Sequence, residues 1–479
     1  MKSIKLKYLL ASLSGLSLIG STSAFADDAV QTVSMGMDRT RLNIGVYCLG
    51  PAAQTENHIR DLKDCGVDFV TSIAGGADMR KTFDLFQKYG IGAIVPLMSP
   101  YWNEASHVKN VDIAKAFPLD KWIWNAEKHA LRSHPAIWGY DLGDEPDAST
   151  FPFFGEIVRT IRERCPEKIL YLNLYPNCVP KTEHGEKENE PNWFLGTCTY
   201  EEYIDRFCRQ IPLDYVCYDF YLYRQHKRRI PLSYENMRVV SDACRKNGRD
   251  FWTVLQVNSD VPDRYTSLNG LRFQAYQAMA YGVSTILWAC YSPCWWHHNV
   301  LTDAGEKTEQ YEKLKQVNAE IHAFGKYYML FRNEATTLVG DFRNPNTFFL
   351  PESDKILQRG EKAGQSPVLK AFANAAVSGL HASGEEALIV GDMVGRANSK
   401  TRALFICAAD DPMGLHPKRY DIVFGLARGW QVRAFGIDGQ RAITRVSGGT
   451  SQSHPSYCLS SMLVRKRDNV RVVHRPAYL

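Results

Sequence analysis

Two acidic residues, Asp144 and Glu145, end the stretch Gly139-Tyr-Asp-Leu-Gly-Asp-Glu-Pro146, directly after a hydrophobic run and directly before a proline. Residues 137–142 read as a buried strand, and a proline cannot continue one, so both carboxylates are delivered at a strand's C-terminal end. A third acid, Asp219, lies in Tyr215-Val-Cys-Tyr-Asp-Phe-Tyr221. There Val216, Tyr218 and Phe220 alternate with Cys217, Asp219 and Tyr221, which separates Asp219 from the apolar face. The same alternation groups Asp141, Gly143 and Glu145 on one face of the earlier strand. Two carboxyls that meet across a cleft can act as a pair: one protonates a departing oxygen, and the other supplies a nucleophile or activates water. Blander readings compete, namely an acidic loop capping the next helix for Asp144 and Glu145, and a hydrogen-bonding core residue for Asp219.

The elements needed to position such a pair are legible from residue 42 onward. Strand-like runs occur at 42–50, 67–73, 91–98, 137–143, 168–176, 215–223, 250–257 and 284–291. Amphipathic helical stretches lie between them at 55–65, 79–89, 121–132, 153–164, 200–209, 235–247 and 271–281, with 311–324 after the last strand. Eight strands, each followed by a helix, over about 290 residues predict an α/β fold, a (β/α)8 barrel. Gly66, Gly90, Gly248, Gly282 and Gly325 stand where helices should stop. After Phe331 the texture changes to short apolar runs separated by Gly, Asn, Asp and Ser, at 387–394, 401–408, 419–424, 431–436, 442–446 and 457–464. That spacing predicts a smaller all-β sandwich that buttresses the barrel, with 345–367 as an irregular connection. The expected division is 1–26 signal peptide, 27–41 lead-in, 42–331 barrel and 332–479 β-sandwich domain with its linker.

A barrel of this kind carries its chemistry at the C-terminal ends of its strands. Strand four then offers Asp144 and Glu145, strand five Asn173 and Tyr175, strand six Asp219 and Tyr221, strand seven Gln256, and strand eight Trp288 and Tyr291. Tyr101, Trp102, Trp193, Trp295 and Trp296 add flat side chains suited to stacking on sugar rings or to ordinary packing. With ten Trp and twenty-four Tyr, an aromatic-rich core accounts for the surplus as readily as a sugar site.

The chain opens with Lys2, Lys5 and Lys7, continues with an apolar stretch over 8–20, and reaches Ala24-Phe-Ala26 before Asp27-Asp28. This is the pattern of a cleavable secretory signal, too short to span a membrane, and implies a periplasmic or extracellular protein. Loss of those three lysines lowers the net charge from +5 to +2, which leaves no electrostatic footprint for nucleic acid. Twelve cysteines permit disulfides without making a disulfide scaffold; Cys178 and Cys198, which bracket a polar loop, are the most suggestive pair. Cys290 and Cys294, with His297 and His298 nearby, match no common zinc spacing, and no motif calls for a metal or cofactor. The oligomeric state is left open.

The motifs at 139–146 and 218–221, Phe251-Trp-Thr-Val-Leu-Gln256, and the run from Gln274-Ala-Tyr-Gln-Ala-Met-Ala-Tyr-Gly282 to Leu287-Trp-Ala-Cys-Tyr-Ser-Pro293 resemble bacterial barrel glycoside hydrolases of the large retaining clan. They are most similar to the family 42 β-galactosidases, and the stretch from Leu301 to Ile321 resembles the strand-eight exit and final helix of such proteins. The resemblance covers about 42–331. It implies a carbohydrate substrate and places the acid/base on Glu145. It also implies two departures. The clan's sugar-binding Asn before that Glu is here Asp144, and the position of its strand-seven nucleophile holds Gln256, which cannot act as a carboxylate. Asp219 supplies the second carboxylate, Asp260 does so through a rearranged loop, the mechanism differs, or the barrel has become a catalytically inactive carbohydrate-binding protein.

Overall fold

The computed structural model describes residues 36–97 except 77, 131–179 except 132, 187, 189–223, 229–340, 342, 368–382, 387–409 and the strands at 421–426, 430–435, 441–442, 450–452 and 461–466. The expected signal peptide, the connection at 345–367, Tyr101, Trp102 and all but Leu131 of the helix expected at 121–132 lie outside these residues.

Eight parallel strands form one sheet: β1 (Asn43–Leu49), β2 (Phe69–Ile73), β3 (Gly92–Pro96), β4 (Ile137–Asp144), β5 (Ile169–Asn173), β6 (Tyr215–Phe220), β7 (Asp250–Gln256) and β8 (Val283–Ala289). Their spatial order, β5-β4-β3-β2-β1-β8-β7-β6, places the first and last strands of the list side by side once the sheet curls. Helices α1 (Glu56–Asp64), α2 (Met79–Tyr89), α3 (Phe151–Arg164), α4 (Tyr200–Gln210), α5 (Arg229–Asn247), α6 (Leu268–Ala280) and α7 (Glu309–Tyr328) alternate with the strands. The seam between β5 and β6 is the thinnest part of the wall. It is closed by one parallel bridge, Leu174 to Tyr218, and by the hydrogen bond from Leu174 N to Cys217 O (3.0 Å). The Tyr215 hydroxyl stitches it further, accepting from Leu172 N (3.1 Å) and donating to Leu170 O (2.5 Å).

The floor of the lumen is aromatic. Tyr215 stacks on Trp252 with ring centroids 4.1 Å apart, and Phe69 contacts both Trp138 and Trp252. Gly92 makes room for this layer, since a Cβ there would stand 2.1 Å from the Trp138 indole. Part of the aromatic surplus is therefore core. Helix starts carry side-chain caps at Asp78, Thr199, Ser267 and Thr308. Gly66, Gly90, Gly248 and Gly282 follow helices at positive φ, as expected. Gly325 does not end its helix: α7 continues to Tyr328, and Gly325 instead allows close approach to Leu42.

Beyond the barrel, the described residues give ten strands where six were expected. Seven form a sheet in the order β10 (Val368–Leu369), β9 (Phe331–Val339), β12 (Leu388–Gly395), β13 (Thr401–Ala408), β18 (Ser461–Lys466), β15 (Trp430–Phe435), β16 (Arg441–Ala442). Three form a smaller antiparallel sheet of β11 (Val377–Ala382), β14 (Asp421–Leu426) and β17 (Thr450–Gln452). The fold class is thus a barrel followed by a β domain. β12 is buried on both faces: Leu388 and Val390 join an apolar cluster with Val377, Leu380 and Ile422 of the small sheet, while Ile389 and Met393 join the barrel's core. Burial on both faces is why that strand reads as a continuous apolar run. Helix α6 is almost wholly buried because it lies between β7–β8 and this sheet. Phe405 of β13 is its main anchor, with ring centroids 6.1 Å from Tyr276, 5.5 Å from Phe324 and 5.7 Å from Tyr328.

Removing that anchor creates a cavity that these rings cannot close by rotation. Phe405→Ala is expected to lower unfolding free energy by about 3–5 kcal/mol, read from the denaturant midpoint of the whole chain. A loss below about 1 kcal/mol would show that the β domain does not brace the barrel.

Candidate active site

The mouth of the barrel holds a cavity of about 180 Å³ lined by Tyr47, Asp144, Glu145, Asn173, Asp219, Tyr221, Val254 and Trp295. An adjoining cavity of about 380 Å³ shares Glu145, Asp219, Tyr221 and Trp295, and adds Tyr175, Phe194 and Trp296 among others. Eight sequence-selected residues therefore converge: Asp144, Glu145, Asn173, Tyr175, Asp219, Tyr221, Trp295 and Trp296.

Local backbone geometry aims the acids. β4 carries a register shift between Asp141 and Gly143 against β5, with Gly143 at φ 146°. A bulge interrupts simple alternation, so Asp141 and Asp144 come close enough for their charges to interact. Glu145 then takes φ 48°, a left-handed conformation that costs a non-glycine residue on the order of 1 kcal/mol. It is held there by its N–H, which donates to Asn173 O (3.0 Å), while the Tyr203 hydroxyl donates to Pro146 O (2.6 Å). Asn173 is the hub: its Nδ2 donates to Asp144 Oδ1 and to Asp219 Oδ1, both at 2.9 Å, and its Oδ1 faces the Cys217 thiol at 3.6 Å.

Glu145 and Asp219 both line the two cavities and lie near enough for their carboxyls to interact. Burial pushes the Glu145 carboxyl well above the usual range, and the charges of Asp219 and Asp144 push it further. Asp219 is raised to about 7 by burial and by Asp144, but bonds from Asn173 and Glu145 favour its ionised form. Both carboxyls are therefore biased toward the protonated form by burial and by the charge of Asp144. Asp141, deeper in the lumen, is also raised to about 7 by burial and by Asp144, against the N–H of Gly143 that donates to its Oδ1 (3.1 Å).

Three sequence-selected residues are elsewhere. Gln256 is fully buried, and its amide is consumed by the Tyr223 backbone, accepting from Tyr223 N (2.8 Å) and donating to Tyr223 O (3.1 Å). Val254 is the β7 residue on the cavity wall. Trp288 points outward, where its indole N–H donates to Asn318 of α7 (2.9 Å). Tyr291 is buried beside Asp61, Cys65 and Tyr311 at the α1–α7 side of the wall. Asp260 is absent from both cavity linings, and Trp193 packs edge-on against Phe194. Cys178 and Cys198 are free thiols, not a disulfide. Among the described residues no group of three or more His, Cys, Asp or Glu side chains is arranged to hold a metal ion, and no helix is long and apolar enough to cross a membrane.

The sequence reading passed over Tyr47, Phe194 and the role of Asp141. Tyr47 alternates with Ile44 and Val46 on β1, a pattern that could have placed it inward; its ring lies 5.5 Å from that of Trp295. Asp141 was legible only as a face-mate of Glu145, because a bulge leaves no sequence mark beyond Gly143.

Barrel and site together define the class: a (β/α)8 barrel with a carboxyl pair at the C-terminal end of its strands. Solved structures similar to this chain include a protein from Bacteroides thetaiotaomicron provisionally named α-L-fucosidase, with 12% identity, 63% of this chain and 99% of that one covered, and a TM-score of 0.43. The endo-β-1,4-mannanase of Thermotoga petrophila is similar at 9% identity over 89% of this chain and 97% of that one, with a TM-score of 0.40. A family 5 glycoside hydrolase, the mannosidase of Rhizomucor miehei, is similar at 11% identity over 57% and 92%, with a TM-score of 0.37. No protein-family model and no curated protein matches the sequence. At such identities and scores the likeness assigns neither reaction nor residue role to this chain.

The raised acids make stability depend on pH. Asp141 moves from 3.8 to about 7 on folding, so the folded chain keeps a proton that the unfolded chain has released between about pH 4 and pH 7. Stability tied to it is full below pH 4, falls through that window and stays low above it. Asp141→Asn keeps the acceptor for Gly143 and removes the charge. It is expected to stabilise the protein at pH 8 by on the order of 2–4 kcal/mol and to have little effect at pH 4, measured by urea unfolding at both values. A variant less stable than the parent at pH 8 contradicts the buried charge.

Proposed function

We propose that the chain is an exported glycoside hydrolase that cleaves O-glycosidic bonds of an oligo- or polysaccharide, with Glu145 as general acid/base and Asp219 as its carboxylate partner. The observation that carries this reading is the convergence of the Glu145 and Asp219 carboxyls on one aromatic-walled cavity at the strand ends. Burial and neighbouring charge bias Glu145 toward its protonated form, which suits it to deliver a proton to the departing oxygen, while Asp219 supplies the nucleophile or activates water. Tyr47, Tyr221, Trp295 and Trp296 offer ring faces and edges to the sugar.

A glycosidic linkage placed between the two carboxyls would meet the acid of Glu145 and the carboxylate of Asp219 from different sides. Gln256 takes no part, since its amide is committed to Tyr223. The finer likeness to family 42 β-galactosidases rests on the motifs alone, and the export route rests on residues 1–26.

Glu145→Gln should lower turnover on unactivated glycans by at least about 10²-fold, and Asp219→Asn should abolish it. Both should leave glycan binding by calorimetry within a few-fold of the parent. Reducing-sugar release across a broad glycan panel is the measurement. Near-normal hydrolysis by either variant removes that residue from the mechanism. Glycan binding by the parent without any release would make the barrel a carbohydrate-binding protein.

A further inference from the structure

At the other end of the barrel from the acids, where α7 runs into the β domain, lies a groove of about 610 Å³, larger than either cavity at the mouth. Its apolar walls are Phe324 and Tyr327 of α7, Met393 of β12, and Ala403 and Phe405 of β13, with Leu330 at its rim in the turn between α7 and β9. Leu330 is 59% exposed; among the described residues the only other large apolar side chain left so open is Leu369, at 41%. A second cavity of about 190 Å³ adjoins the groove. It reaches Asp250 and Ser284 at the starts of β7 and β8 and shares Tyr328, Met329, Phe331 and Arg396 with the groove.

Charge along the groove has one sign. Its lining includes Arg39 and Arg396 and no Asp or Glu. Arg39 is already occupied, with Nη1 3.3 Å from Asp214 and Nη2 3.1 Å from Asp250. Arg396 is held differently: its backbone N–H donates to Leu330 O (2.9 Å) and its Nε to Phe331 O (3.0 Å), which fixes it beside the turn that carries Leu330. No carboxylate among the described residues pairs with its guanidinium, so its charge is left unmatched at the edge of an apolar wall.

We propose that the groove binds a single alkyl chain with a carboxylate head, the head on Arg396 and the chain laid between α7 and β13. The groove has the size of small-molecule sites, roughly 300–1,000 Å³, and the domain-junction placement that such sites favour. A concave apolar wall with one unmatched cation at its rim suits a ligand that is apolar along its length and anionic at one end. The guanidinium of Arg396 keeps its two terminal nitrogens to face both oxygens of a carboxylate. Because α7 belongs to the barrel and β13 to the β domain, a chain lying between them contacts both and favours the folded, docked state.

Two other occupants fit less well. A membrane surface is met by several protruding apolar side chains with cations around them, whereas this wall is concave and Leu330 is the one exposed large apolar side chain on it. A second copy paired about a two-fold axis would set the patch against itself, with the same hollow and the same unmatched cation on both sides. The inference goes beyond the proposed reaction and does not depend on it.

The test uses the whole chain with decanoate as the probe and decyltrimethylammonium, which has the same chain and the opposite head charge, as its counterpart. Titration calorimetry is expected to show one decanoate site, with the cationic amphiphile at least about 10-fold weaker. Decanoate should also raise the thermal midpoint and slow amide exchange at 327–331 and 393–405. Arg396→Gln and Leu330→Asp should each weaken decanoate by at least about 10-fold, and both should keep the ligand-free midpoint of the parent because both side chains are exposed. No decanoate site, equal binding of the two amphiphiles, or parental affinity in Arg396→Gln would overturn the proposal. It also fails if Leu330→Asp abolishes co-sedimentation of the parent with phosphatidylglycerol vesicles, which gives the face to a membrane, or splits a parent dimer seen by light scattering, which gives it to a second copy. None of these outcomes bears on whether Glu145 and Asp219 hydrolyse a glycan.

Discussion

The amide of Asn173 gives hydrogen bonds to Asp144 and to Asp219, and without that fork the two carboxylates could not stand so close at the barrel mouth. Oxygens held by one nitrogen lie roughly 4–5 Å apart, where like charges repel by about 3–4 kcal/mol at an effective dielectric of ~20. Two charge-assisted bonds of about 1.5–3 kcal/mol each offset most of that repulsion. The remainder is relieved by protonation within the cluster, whose carboxyls burial also biases toward the neutral form. In the proposed pair, Asn173 serves Asp219 and not Glu145. The main-chain carbonyl of the same residue also sets the backbone, since Asn173 O receives the N–H of the left-handed Glu145.

That hub stands on the thinnest part of the barrel wall. Asn173 ends β5, Asp219 lies on β6, and between these strands there is one bridge where other neighbours share a ladder. The Tyr215 hydroxyl substitutes for missing backbone bonds by linking Leu170 and Leu172, and its ring is fixed by Trp252 in the aromatic floor. Support from the other direction starts outside the barrel. The β domain buries one side of α6, and Gln274 of α6 exchanges two hydrogen bonds with the Gln256 backbone (3.0 and 2.9 Å). Gln256 in turn holds Tyr223, two residues from the Tyr221 ring on the cavity wall. A continuous set of packed and hydrogen-bonded groups therefore joins Phe405 to the site.

The barrel was legible because buried parallel strands and amphipathic helices differ in period and length, and every predicted strand was found within a few residues of its place. The acids at 144, 145 and 219 were legible for the same reason: a charged residue at the end of an apolar run is conspicuous. Position along a strand did not settle direction. Trp288 and Tyr291 stand at the end of β8 but face the helices, and Gln256 satisfies a loop backbone that no local pattern announces. The bulge at Gly143 overrode alternation on β4. In the β domain, β9 was missed because Arg332, Asn333, Glu334, Thr336 and Thr337 give it a polar texture. Their partners are distant in sequence: Asn333 and Thr336 both donate to Ala280 O, and Glu334 pairs with Arg402.

In the proposed mechanism, a second carboxylate on strand six rather than strand seven changes what can orient it. A strand-seven acid would face β4 across the lumen, with the cavity between them. Asp219 lies one strand beyond β5, so Asn173 can reach it and Asp144 together, and Glu145 can touch it directly. Asn173 thus binds one oxygen of each aspartate and gives no side-chain bond to Glu145. In the proposed reaction, an oxygen that accepts from Glu145 while an electrophilic centre faces Asp219 suits both carboxyls at once, as a glycosidic bridging oxygen does and an apolar ligand does not.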